Sequence, residues 1–122
     1  MHEHNNYSRE EREMIANTII QQLGGFRALK IMIAAKGFQV GETEQGAFLL
    51  FKFKGYKKAN VFKITLTKRD DYIVELIKLG TMRTCYRLDV VKRQEGLYFD
   101  DLIPFFERNT NLSLIVPEVI GL

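Results

Sequence analysis

From Phe38 onward the sequence changes period. Apolar residues that had recurred every three or four positions now alternate, and they do so in five successive segments separated by short polar breaks. The segments read as strands at Phe38–Thr43, Ala47–Lys54, Asn60–Lys68, Tyr72–Leu79 and Met82–Arg93. The breaks at Glu44-Gln45-Gly46, Gly55 to Ala59, Arg69-Asp70-Asp71 and Gly80-Thr81 are too short for crossovers, so the strands should follow one another as an antiparallel meander. Ala47, Leu49, Phe51 and Phe53 share one face of the second strand, and Phe62, Ile64 and Leu66 share one face of the third.

Ahead of Gly37 the pattern is helical. Ser8 and Glu11 have capping-box spacing, acidic residues follow in the first turn, and Ala16, Ile19, Ile20 and Leu23 form one stripe. A helix over Ser8–Leu23 is therefore expected, stopped by Gly24-Gly25. A second helix over Phe26–Lys36 is apolar nearly all round, apart from Arg27 and Lys30, which predicts cover on most sides. Gly37 is placed to end it. A last helix should run from Asp100 or Asp101 to Arg108, with Pro104 at its third position, where a missing N–H costs no intrahelical bond. The expected fold class is α+β: two N-terminal helices, a five-stranded antiparallel meander and a C-terminal helix, with the helices packed on one sheet face. Residues 8–116 form one domain, 1–7 a flexible lead-in and 117–122 a tail. Leu112 to Val116 is apolar and extended in character, suited to an edge strand or to docking in a neighbour.

Scarce residue types narrow the chemistry. The two histidines, His2 and His4, lie at the very front, and there is one cysteine, Cys85. Nucleophile–histidine catalysis needs a base held rigidly against its partner, and a polar terminus does not hold one. Zinc sites need three or four ligands, and the supply is too small. Asp71, Glu75 and Lys78 approach a metal-nuclease pattern, but the Glu-x-x-Lys spacing sends Glu75 and Lys78 to opposite faces of a strand. Asp70-Asp71 reads as a turn and Asp100-Asp101 as a helix cap. Gly24-Gly25 lacks the remainder of a phosphate loop. The expectation is a protein without catalytic site, metal or cofactor. A lone thiol within a strand-like run predicts a packed Cys85 and a reducing cytoplasm. No run of about 18 apolar residues signals a membrane span.

Charge gives the positive signal. The formal total is only +3, yet Lys52, Lys54, Lys57, Lys58, Lys63, Lys68 and Arg69 follow one another between Gly46 and Arg69 without an acid. That +7 block leaves −4 for the rest of the chain. Alternation turns Lys52, Lys54 and Lys63 away from the helices, and Arg83 and Arg87 on the last strand with them, against Glu75 and Asp89. Tyr56 stands at the expected hairpin tip, where it would stack on a base. The candidate binding residues are thus Lys52, Lys54, Tyr56, Lys57, Lys58, Lys63, Arg69, Arg83 and Arg87. A solvated lysine-rich sheet face is the plain structural alternative.

Several strings recur together: Gln21-Gln22-Leu23-Gly24-Gly25-Phe26, Ala34-Ala35-Lys36-Gly37-Phe38, Lys58-Ala59-Asn60 before Ile64-Thr65-Leu66, and Asp71-Tyr72 with Val74-Glu75. Gly96-Leu97-Tyr98, Phe106-Glu107 and Thr110-Asn111-Leu112 complete the set. On these strings, over residues 18–116, the chain resembles small uncharacterised proteins of bacteriophages and other mobile elements. The resemblance implies that setting and no activity. In it, a non-enzymatic binding module would act on nucleic acid or an acidic protein surface. Two alternatives accompany that reading: an inhibitor that occludes a host defence nuclease, and an assembly protein that docks its tail in another subunit.

Overall fold

The computed structural model describes residues 7–117, and His2, His4 and most of the lead-in and tail lie outside them. The chain folds as α1 (Arg9–Gln22), α2 (Phe26–Ile33), β1 (Lys36–Thr43), β2 (Gly46–Lys52), β3 (Val61–Thr67), β4 (Tyr72–Leu79), β5 (Leu88–Leu97) and α3 (Leu102–Thr110), with single 3-10 turns at Met82–Thr84 and Phe99–Asp101. The five strands form one antiparallel sheet in sequential order, the expected meander. The fold is α+β as read from the periods.

The capping box of α1 is formed. Ser8 Oγ accepts from the Glu11 N–H at 3.1 Å, and Glu11 Oε1 accepts from the Ser8 N–H at 2.7 Å. Arg12, one turn on, donates to Glu42 at 3.4 Å and ties α1 to β1. The second helix ends three residues earlier than expected. Ala34 takes a left-handed φ of 53°, and the Ala35 N–H reaches back to the Leu29 carbonyl at 3.2 Å, closing the helix without glycine. Lys36 is thereby freed to begin β1, and Gly37 serves the irregular pairing at its start. This helix is also less covered than its composition suggested, since Phe26 and Ile31 are exposed. At α3, the Asp101 carboxylate accepts from the Tyr98 N–H at 2.9 Å, and Pro104 sits at the third helical position.

All three helices cover one face of the sheet. On that face Leu49, Phe51, Phe62, Ile64, Val74 and Leu76 are buried against Ile19, Leu29, Phe105 and Phe106. Phe62 stands at the centre, 5.0 Å from the Phe106 ring and 6.0 Å edge-on to Phe51. Fully buried side chains of this size each favour folding by about 1.5–3 kcal/mol. The tail adds no strand within the described residues. Leu114 is instead buried in the chain's own core, its N–H bonded to Glu107 Oε2 at 2.8 Å.

The last strand departs most from expectation. It spans Leu88–Leu97 rather than Met82–Arg93, and Met82–Thr84 forms a 3-10 turn. Cys85 and Tyr86 both have positive φ (56° and 55°), the pair of values that a tight hairpin turn uses. The thiol of Cys85 is consequently exposed, not packed. Gly80 makes the turn possible, because a Cβ there would lie 2.0 Å from Thr84 Oγ1. Two register shifts against β4 bend β5, which carries Lys92 and Arg93 along the sheet edge.

Candidate nucleic-acid interface

Antiparallel order brings the start of β1, the end of β2, the start of β3, the end of β4 and the start of β5 to one end of the sheet. That end carries Lys36, Lys52, Lys54, Lys57, Lys58, Lys78, Arg83 and Arg87, with Asp89 as the carboxylate among them. The opposite end carries Glu42, Glu44, Asp70, Asp71 and Glu95, with Lys68 and Arg69. Arg69 is therefore separated from the other candidates by the length of a strand, about 20 Å. The basic block of the sequence is split by the fold, and its larger part is reinforced by Lys36 and Lys78, which sequence proximity did not reveal.

The β2–β3 connection is not a free hairpin tip. Phe53 and Ala59 are buried, and Tyr56 packs against the core between them. Tyr56 is thus not the free ring at a hairpin tip that the sequence led one to expect: it is half-buried against the core. Lys54, Lys57 and Lys58, in the gaps between these anchors, are exposed. Hydrogen bonds fix the connection further. The Lys54 N–H donates to the Ile33 carbonyl and the Phe53 N–H to the Asn60 carbonyl, both at 2.9 Å. Asn60 behaves as an extra strand residue, its Oδ1 accepting from the Leu79 N–H at 2.7 Å and its Nδ2 donating to the Leu79 carbonyl at 3.1 Å. Gly55 passes so close to Leu112 that a Cβ would lie 3.1 Å from its Cδ2.

Lys36 and Lys52 are direct cross-strand partners, an arrangement of like charges that destabilises a sheet unless an anion or solvent separates them. With Lys54 and Asn60 they line a shallow pocket of about 180 Å³ that contains no acid. None of the three ammonium groups has an ion pair or a hydrogen bond among the described residues. The ion pairs of the described residues all use arginine: Arg9–Glu13, Arg12–Glu42, Arg87–Asp89, and Arg93 with both Glu75 and Glu95.

Lys52 and Lys63 point away from the helices, as expected, while Lys54 lies past the end of β2. Lys63 rests 4.5 Å above the Phe48 ring. The face around them is not the solvated polar surface that alternation suggested. Val61, Thr65 and Ile77 point to it and are nonetheless buried. Side chains from all five strands line a groove of about 320 Å³ there.

Arg83 lies in the 3-10 turn and Arg87 just before β5, so neither occupies the strand position expected for it. Between them Tyr86 is 59% exposed. Its left-handed backbone costs about 1–2 kcal/mol in a non-glycine residue. Tyr86 replaces Tyr56 as the aromatic ring presented by the basic end. No turn-forming Asn or Gly in the Met82–Arg87 stretch marks the hairpin, so the alternating pattern concealed it.

The carboxylates of Asp71 and Glu75 have structural partners. Thr67 Oγ1 donates to Asp71, and Glu75 pairs with Arg93 on the face without helices, whereas the Lys78 ammonium bonds the Lys57 carbonyl at 3.2 Å. Among the described residues no three His, Cys, Asp or Glu side chains gather into a metal-ligand cluster, and no helix is long and apolar enough to cross a membrane. No family model matches the chain, nor does any curated protein or solved structure.

Proposed function

We propose that this chain is a non-enzymatic nucleic-acid-binding protein, in keeping with the phage or mobile-element setting that its sequence strings suggest. The observation that carries the reading is the concentration of unpaired lysines at one end of the sheet beside an exposed, strained Tyr86. Lysines without protein partners neutralise phosphates and release their counterions, and an exposed ring stacks on a base of any identity. The anchored β2–β3 connection holds the ammonium groups in place without demanding their participation in folding.

Fluorescence anisotropy with a labelled single strand of about 15 nucleotides tests this. Affinity should fall log-linearly between about 50 and 200 mM salt. Absence of binding at the low-salt end refutes the proposal.

A second reading, an acidic protein partner such as a host nuclease, draws support from Met82, Leu88 and Val90, which are exposed beside the same cations. Recovery of one stoichiometric host protein from lysate treated with nuclease, with no affinity for oligonucleotides, would favour it.

A further inference from the structure

The shallow lysine pocket and the groove on the uncovered sheet face meet at Lys52, which lines both. One offers three ammonium groups with no carboxylate. The other has an aliphatic floor of Leu50, Val61, Ile77 and Leu79 with exposed Leu88 at its rim, flanked by Lys52, Lys63 and the Gln39 amide. That amide has no hydrogen-bond partner among the described residues. A ligand complementary to both is anionic at one end, flat and apolar on its faces, and polar at its far edge. A nucleotide has this distribution: a phosphate, a ring with two apolar faces, and a base edge of donors and acceptors.

We infer that the groove takes one unstacked base while Lys36, Lys52 and Lys54 hold the adjoining phosphate, so that the protein selects single strands over duplex. This rests on the nucleic-acid reading above and adds a site to it. The groove volume of about 320 Å³ is at the lower end of the range of small-molecule sites, enough for one ring system and not for a stacked pair. Sandwiching a displaced base between apolar side chains, with an amide at its edge, is a general way to read a base outside its helix. A duplex keeps its bases stacked and offers this groove nothing.

Methyl and amide resonances of the intact protein separate the two proposals. A thymidine strand should shift the methyls of Leu50, Val61, Ile77 and Leu88, and an abasic strand of equal length should leave them in place. Amides of Lys36, Lys52 and Lys54 should move with both. Methyls unmoved by thymidine while the lysine amides shift would overturn the groove and leave the basic end standing. Spectra unchanged by either strand at low salt would overturn both. As a second measurement, Leu88→Asn should weaken thymidine-strand binding about tenfold and leave abasic-strand and duplex binding unaltered. Equal losses on all three would count against a base in the groove.

Discussion

The two ends of the sheet are made of the same parts, strand termini joined by short connections, yet they treat their charges in opposite ways. At the acidic end three of the five carboxylates are engaged by the fold. Glu42 reaches Arg12 from β1, Asp71 accepts from Thr67, and Glu95 pairs with Arg93. At the basic end the lysines have almost no protein partners, and the connection beneath them is held by buried rings, backbone bonds and one asparagine. A charge that the fold uses is tied to stability, and a charge that the fold leaves alone is available to a ligand. Substitution of the charged side chains should therefore show in stability at the first end and in affinity at the second.

The sharpest test of that division reverses charge at each end. Lys52→Glu, Lys54→Glu and Lys58→Glu together should lower affinity for a single strand about a hundredfold and leave the thermal midpoint nearly unchanged. Lys68→Glu with Arg69→Glu removes charge from the same stretch of sequence and should alter affinity less than about threefold. Equal losses in anisotropy would mean that net charge, not its placement, governs binding.

Next in size is Asn60→Ala. It strands a donor and an acceptor of Leu79 and should cost about 2 kcal/mol in urea unfolding, with affinity reduced as the connection loosens. Thr67→Val at the other end should cost about as much through the orphaned Asp71 carboxylate, with affinity intact. Parallel behaviour of the two variants in both measurements would erase the contrast.

Smaller, and opposite in sign for the two measurements, is Tyr86→Gly. Relief of the left-handed backbone should raise stability by about 1 kcal/mol, while loss of the ring should weaken strand binding about fivefold. A variant that is less stable, or binds as well as the parent, removes Tyr86 from the site.

The smallest effect belongs to Tyr72 at the acidic end. Burial pushes its hydroxyl above the ordinary value of 10.0, and the Asp70 carboxylate adds to the rise. The unfolded chain then loses this proton at a lower pH than the folded one. Stability should decline as pH rises from about 10 through the raised value. The advantage of the parent over Tyr72→Phe in urea midpoint should narrow across that window. A constant difference from pH 9 to pH 11 would disprove the shift.

Periodicity made the sheet legible, because apolar residues recur at alternate positions along its strands and the breaks contain Gly or Asp. It failed where a turn used unusual residues. Cys85-Tyr86 adopts a conformation ordinarily given to Asn-Gly, and Ala34 closes a helix in a role usually taken by glycine. Of the candidate site, Lys52, Lys54, Lys57 and Lys58 were readable as a local charge run. Lys36 and Lys78 were not, since they join the run only through strand pairing. Adjacency along the chain groups Tyr56 and Arg69 with the lysines of that run, whereas the fold packs Tyr56 against the core and sets Arg69 at the opposite end of the sheet. The apolar groove has no signature in the pattern, because Leu50, Val61 and Ile77 fall on the side that alternation assigns to water.

Phe53, Tyr56 and Ala59 secure the β2–β3 connection at every third residue and leave the side chains of Lys54, Lys57 and Lys58 between them without a packing duty. In evolutionary terms those gaps form a display site whose contents can change independently of the scaffold. A population of descendants would be free to redraw the lysines at 54, 57 and 58 to match a new partner. An engineer could do the same, with a small library at those positions and no need to redesign the core beneath.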